Sequence, residues 1–264
     1  MGLAVQMYTV RDFTTTAAGF VQTIGAIRAI GYEAVQLSAV GAMAGDRPAV
    51  TAVQARRLLD DHGLKCIATH RSWDSLVNNV DAEIDFHHIL GCNFAAIGGL
   101  PNSYSAEGAE GYRAWLRDAA PIIHRLKEAG IAFGYHNHSQ EFQHIGSLTE
   151  PRRTLFDIFI EEGGIDLKLE IDVYWVQHAG INPARLFERC LNRAPVIHLK
   201  DKEVVPGDGP VMAPIGEGNL EWDSILSSTI MAGVEWYAVE QDVCRRDPFD
   251  CLRSSFNYLS ALGI

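Results

Sequence analysis

The chain has little of what announces a function from composition alone. Its five cysteines, Cys66, Cys92, Cys190, Cys244 and Cys251, are odd in number, and no two stand at CxxC spacing. That argues against a disulfide framework and against a thiolate zinc site, and the thiols read as small buried hydrophobes. Positive charge is also scarce: 22 Lys and Arg face 33 Asp and Glu, a net charge of −11. Nucleic acid and anionic lipid both call for a basic face, so neither is an expected partner. The acidity itself reads as serving solubility. No apolar run approaches the roughly 18 residues of a membrane span, and no charged-then-apolar leader precedes the first strand-like segment. A cytoplasmic location is the expectation. A Gly-rich phosphate turn is missing as well, because Tyr8-Thr9-Val10-Arg11 stands where GxGxxG would follow the first strand of a dinucleotide fold.

What is present is a regular alternation. Strand-like runs fall at 3–7, 34–37, 65–69, 94–97, 131–136, 167–171, 196–199 and 237–239. Between them the pattern predicts helices over 16–30, from Pro48 to Gly63, over 79–90, 106–129 and 151–162, and from Asn182-Pro183, Trp222 and Pro248 onward. Glycines such as Gly31, Gly63, Gly91 and Gly130 close the helices. A loop of roughly twenty residues rich in Gly and Pro follows the seventh strand, and so long a loop is often functional. Units of about 30 residues and continuous apolar strands predict a parallel sheet buried on both faces. Eight such units in 264 residues, 47% of them hydrophobic, predict a single (β/α)8 TIM barrel domain over 1–264.

Four of the later strands end abruptly in metal-binding residues: His136-Asn137-His138, Glu170-Ile171-Asp172, His198-Leu199-Lys200-Asp201 and Glu240-Gln241-Asp242. Burying such groups is costly unless they are paired or hold a metal. In a β/α barrel they converge on the C-terminal rim, where active sites lie. Asp172, His198 and Glu240 end strands six, seven and eight, and strand five adds His136, His138 and, three residues on, Glu141. Carboxylates with one or two imidazoles suit a divalent Mn, Zn, Mg or Co ion.

The motifs His-Asn-His-x-x-Glu-Phe, Leu-x-Ile-Asp-x-x-Trp, His-Leu-Lys-Asp, Gly-Glu-Gly and Val-Glu-Gln-Asp resemble those of the xylose isomerase-like barrel superfamily, over essentially the whole chain. That superfamily includes sugar phosphate isomerases and epimerases, inosose dehydratases, hydroxypyruvate isomerases and endonuclease IV. The resemblance implies one metal held by a Glu, an Asp, a His and a Glu from strands five to eight. Asp172, His198 and Glu240 match the last three. For strand five, many members have Glu-Asn-His where this chain has His136-Asn137-His138, so the ligand is Glu141 reaching back from the loop, with His136 as the alternative. Glu141 as ligand leaves His136 to bind substrate and His138 to act as a base. Trp175 stands where many members have a second His on strand six, so a three-metal phosphodiesterase site is incomplete and an endonuclease is disfavoured. Trp175 is expected instead to stack on a sugar ring.

The resemblance thus implies a metal-dependent isomerase or epimerase acting on a keto sugar or polyol-derived ketone through an enediolate. Glu141, His138 or Glu240 would serve as base, with Lys200 beside the developing oxyanion and His70 on a substrate hydroxyl. Expelling a β-substituent from the same intermediate would make the chain a dehydratase or keto-glycoside lyase, the alternative reading. A third reading is a non-catalytic sugar-binding barrel. Only Arg11, Lys200 and Lys202 lie near the mouth, which favours an unphosphorylated substrate. Gln6 and Gln36 are expected in the barrel mouth, Glu217 as a conformational feature, and His87-His88 on an exposed helix. Barrels of this kind often pair, so a homo-oligomer is also expected.

Overall fold

The computed structural model describes residues 1–147 and 152–264. Eight strands form one parallel sheet: β1 (Gly2–Gln6), β2 (Ala34–Leu37), β3 (Lys65–His70), β4 (Phe94–Ile97), β5 (Ala132–His136), β6 (Leu167–Glu170), β7 (Val196–Leu199) and β8 (Trp236–Val239). β1 pairs with β2 on one side and with β8 on the other. The seam between β6 and β7 is held by a parallel bridge between Asp172 and His198, with the His198 N–H donating to the Ile171 carbonyl at 2.9 Å. The sheet therefore curls into the expected (β/α)8 TIM barrel. Strand boundaries fall within a residue of the apolar runs.

Alternation along each strand sorts side chains into two cores. Large residues such as Val5, Val35, Phe133, Tyr135, Leu169 and Ile197 face outward, into the main core shared with the helices. A small separate cluster of Ala4, Ala34, Ala68, Phe94, Ala96, Val196 and Ala238 fills the barrel interior. Gly134 belongs to that interior because a Cβ there would stand 2.5 Å from the Phe94 ring. The inner residues are mostly small, and the two-residue period carries upward to a polar layer.

The helices form where caps meet apolar stripes. Thr16 accepts the Gly19 N–H and opens the helix Ala17–Ile30, which buries Phe20, Ile24, Ile27 and Ile30 at helical spacing. Several expected bounds are corrected. Pro48 lies in a loop, and the next helix is Ala52–Asp61, opened by a reciprocal cap between Thr51 and Gln54. The short helices Trp73–Asn78 and Val173–His178 precede the longer ones after β3 and β6; each is nucleated by its own cap, Ser72 and Asp172. The helix after β5 runs Leu155–Glu162 from a Thr154–Asp157 cap, and its expected start at Pro151 lies outside the described residues. The expected open loop after β7 is a hairpin, Asp201–Val205 paired with Gly209–Ala213. His87 is no surface residue: it is fully buried, bonded to the Thr69 hydroxyl at 2.7 Å and the Glu83 carbonyl at 2.6 Å. Among the described residues no helix is long and apolar enough to cross a membrane.

Candidate metal centre and active site

Two residues above the inner alanines, the same strand faces carry polar groups. Ala4 is followed by Gln6, Ala34 by Gln36, Ala68 by His70, Gly134 by His136, Val196 by His198, and Ala238 by Glu240. Each of these side chains is buried except His70, which is partly open. Glu170 joins the layer at the end of β6, paired across the sheet with His136.

Asp172 enters through a turn. Its N–H donates to the Asn137 amide oxygen at 3.0 Å, which ties the end of β6 to the end of β5. Its Oδ1 accepts the Trp175 N–H at 3.1 Å and caps the helix Val173–His178. The second oxygen, Oδ2, is left 3.5 Å from His136 Nε2 and 3.8 Å from His198 Nδ1. His198 Nδ1 lies 2.9 Å from Glu240 Oε2. One ligating atom from each of His136, Asp172, His198 and Glu240 lies within 4.8 Å of the others.

These four residues fit a divalent ion. His136 Nε2, Asp172 Oδ2, His198 Nδ1 and Glu240 Oε2 are all buried and lack a directed hydrogen bond. Lys200 Nζ stands 2.9 Å from both carboxylate oxygens, but off the angle that a hydrogen bond needs. Buried acceptors are normally satisfied, so four unsatisfied ones facing a common point are what a cation would complete. Two imidazoles and two carboxylates suit Mn, Zn or Co best and admit Mg.

The electrostatics agree at three of the four residues, and at His198 a proton has to leave. Burial, helped by the neighbouring His198, pushes the His136 pKa down to about 3, so its imidazole is neutral and able to ligate. Burial alone would lower the His198 pKa, but the carboxylates of Glu170 and Glu240 outweigh it and hold it up, at about 10. Burial opposes ionisation of Asp172 and Glu240; Lys200, with His136 or His198, reverses this and keeps both carboxyls below the usual range. Lys200 is itself pushed up, against burial, by Asp172, Glu240 and Asp242.

Several expected roles are corrected. Glu141 lies apart from the cluster. Its Oε1 accepts the Tyr135 hydroxyl at 2.8 Å and its Oε2 the His138 N–H at 2.8 Å, so both oxygens are spent on the loop and Glu141 is not one of the four clustered residues. His136, expected to bind substrate, takes the strand-five position in the cluster. Trp175 packs beside the His138 ring, with centroids 5.4 Å apart, and under the Lys200 ammonium at 5.6 Å, behind the groups that face the cavity.

Two residues were missed. Glu170 is fully buried, 2.5 Å from His70 Nε2 and 2.8 Å from the Gln36 amide nitrogen; it lay in the segment that ends at Asp172, two residues away on the same strand face. Asp201 accepts the N–H groups of Lys202, Gly216, Gly218 and Leu220 and the Trp222 indole N–H. The Gly216 and Gly218 amides thus bind Asp201, and a Cβ on Gly218 would lie 2.2 Å from the Asp201 Oδ1. Glu217 faces outward and pairs with Arg246.

Above the cluster opens a cavity of about 290 Å³ lined by Gln6, Tyr8, Ser38, Ala39, His70, Gly98, His136, His138, Lys200, Glu240 and Asp242. His138 stands over His136, with ring centroids 4.9 Å apart, and its Nδ1 has no hydrogen-bond partner. A cluster that could hold a metal ion, under a small cavity with an unengaged imidazole at its edge, has the parts for proton transfer next to a polarised carbonyl.

A parallel barrel with such a rim defines a class of proteins, and the chain belongs to the xylose isomerase-like TIM barrel family, whose profile matches residues 24–243. It is similar in fold to a sugar phosphate isomerase/epimerase from Parabacteroides distasonis (20% identity, 98% of this chain and 94% of that one, TM-score 0.81). It is also similar to the probable 3-DHS dehydratase AsbF of petrobactin synthesis from Bacillus anthracis (14%, 98% and 99%, TM-score 0.71). A D-allulose 3-epimerase from Methylomonas sp. shares the fold too (13%, 99% and 97%, TM-score 0.69). No curated protein matches the chain in sequence.

Proposed function

We propose that the chain is a divalent-metal-dependent isomerase or epimerase acting on a keto sugar or polyol-derived ketone through an enediolate. The observation that carries this reading is the buried quartet His136, Asp172, His198 and Glu240, with its unsatisfied facing atoms, beneath a cavity of small-ligand size. A divalent ion held there (Mn, Zn, Mg or Co) supplies Lewis-acid polarisation of a carbonyl and its neighbouring hydroxyl.

The rest is the work of the side chains. His138 takes the proton from the carbon beside the carbonyl and returns it to the other carbon or the other face. Glu141 positions His138 by accepting its N–H. Lys200 lies beside the negative charge as it develops on the substrate oxygen, and His70, steadied by Glu170, meets a hydroxyl. The substrate is unphosphorylated in this reading. Arg11 spends its guanidinium on the carbonyls of Tyr8 and Asp242, and Lys200 is held by three carboxylates, which leaves no free cation among the residues lining the cavity.

One observation favours the dehydratase or keto-glycoside lyase alternative. Asp242 reaches the cavity, and burial with Glu240 beside it pushes its carboxyl above the usual range, as suits an acid that protonates a leaving oxygen. The test is incubation of metal-loaded protein with keto sugars in deuterated water. Deuterium uptake at the carbon next to the carbonyl, abolished in His138→Ala with its metal retained, supports the enolisation reading; an isomer or a released leaving group then separates the two outcomes. Loaded protein that exchanges no proton in any keto sugar contradicts it.

A further inference from the structure

A second cavity, of about 280 Å³, adjoins the metal cavity and shares Ala39 and His70 with it as a common wall. The two differ in the side chains that line them. Polar ones line most of the first. The second is lined chiefly by Leu37, Val40, Met43, Ala44 and the partly buried Phe86, with Arg71 as its one charged group. Arg71 is not open to a ligand anion: its Nε and one Nη bind both oxygens of Glu83 at 2.5 and 2.8 Å, and its guanidinium stacks on the Phe86 ring at 4.2 Å. The dividing wall is unusual in itself. Ala39 holds φ at +52°, a left-handed conformation that an L-residue with a Cβ seldom adopts, and it is exposed to the space between the cavities.

Resting on the keto-sugar reading of the metal cavity, we propose that the substrate is bipartite. The sugar ring sits over the metal centre, and an apolar, ring-sized substituent passes Ala39 into the second cavity. The volume suffices, since a cavity of about 150 Å³ holds benzene. The small side chain at position 39 keeps the passage open. Met43, Ala44 and Phe86 then set specificity for the substituent while the metal centre sets it for the sugar.

The probes are matched pairs of methyl and phenyl β-glycosides of glucose, galactose and xylose, each carrying a ketone in place of one ring hydroxyl, titrated by calorimetry into the metal-loaded chain. In at least one pair the phenyl glycoside binds about tenfold or more tightly than the methyl one, from the apolar surface it buries. Ala44→Trp fills the cavity from an exposed position on extended backbone, and Met43→Ala strips one wall; both erase the phenyl advantage and leave methyl glycoside binding unchanged. Equal affinities within every pair, or a phenyl advantage that survives both variants, overturns the bipartite substrate and leaves the keto-sugar reading standing. Failure of every glycoside to bind contradicts the sugar reading, and the proposal falls with it.

Discussion

The Nε2 of His198 lies 2.9 Å from the amide oxygen of Gln36, and the Gln36 amide nitrogen in turn donates to Glu170 at 2.8 Å. The amide is thereby fixed with its oxygen toward the imidazole. That assigns the Nε2 proton to Gln36 and turns Nδ1 toward Asp172 and Glu240, the orientation a metal ligand needs.

Gln36→Leu removes this acceptor without touching a ligand. Metal affinity is expected to fall by about 10- to 100-fold, the usual effect of losing the partner that orients a ligating histidine. Competition with a chelator of known affinity measures it. Unchanged affinity would show that packing alone holds the ring.

Lys200 separates charge from ligation. Its ammonium touches Asp172, Glu240 and Asp242, so it competes with a bound cation for the same oxygens. Lys200→Met is expected to bind the metal about tenfold more tightly, since removing a nearby positive charge favours another cation. It should exchange substrate protons about a hundredfold more slowly. Weaker metal binding in this variant would instead make the lysine a structural support of the cluster.

Metal binding should also release a proton. His198 has its pKa held up to about 10 by Glu170 and Glu240, against burial, so without metal it is protonated at neutral pH, and ligation through Nδ1 displaces that proton. Because the folded value lies above the unfolded one, the protonated imidazole stabilises the metal-free fold fully below about pH 6.5. That stability is lost as pH rises toward 10. His136 runs the other way: with a folded pKa of about 3 it costs stability as pH falls below about 6.5. Metal affinity therefore rises with pH up to about 10. Calorimetry at pH 7.5 in buffers of different ionisation enthalpy should report about one proton released per metal bound; none released would contradict the assignment.

Asp201 holds the loop after β7 through five donors while sitting fully buried. Asp201→Ala leaves those donors without an acceptor and is expected to cost about 3 kcal/mol or more of stability. Urea denaturation of the metal-free protein reads this directly.

The barrel was legible because its signal repeats. Apolar runs recur eight times, glycines close most of the helices between them, and an error in any one helix start leaves the topology intact. The buried cluster that could hold a metal was legible in part, because Asp172, His198 and Glu240 end their strands abruptly. The remainder depended on the two-residue period within strands that read as continuously apolar. Ala4-Val5-Gln6 and Ala34-Val35-Gln36 alternate small inner residues with large outer ones, and that period points Gln36, Glu170 and His136 inward. Glu141 misled because a carboxylate three residues past a strand could fold back. Only the hydroxyl of Tyr135 and the N–H of His138, brought together by the turn at Gln140–Phe142, show where it goes. Asp201 was hidden for a similar reason: four of its five partners lie 15 to 21 residues away along the chain.

His136, not Glu141, is the residue of the strand-five segment proposed to hold the metal. Elemental analysis of purified and reconstituted His136→Ala and Glu141→Ala, beside the parent chain, decides it. The expected result is about one equivalent of Mn, Zn or Co in the parent and in Glu141→Ala, and loss of the metal in His136→Ala. Metal retained without His136 but lost without Glu141 would contradict the assignment, and a parent chain that takes up no metal would contradict the centre itself.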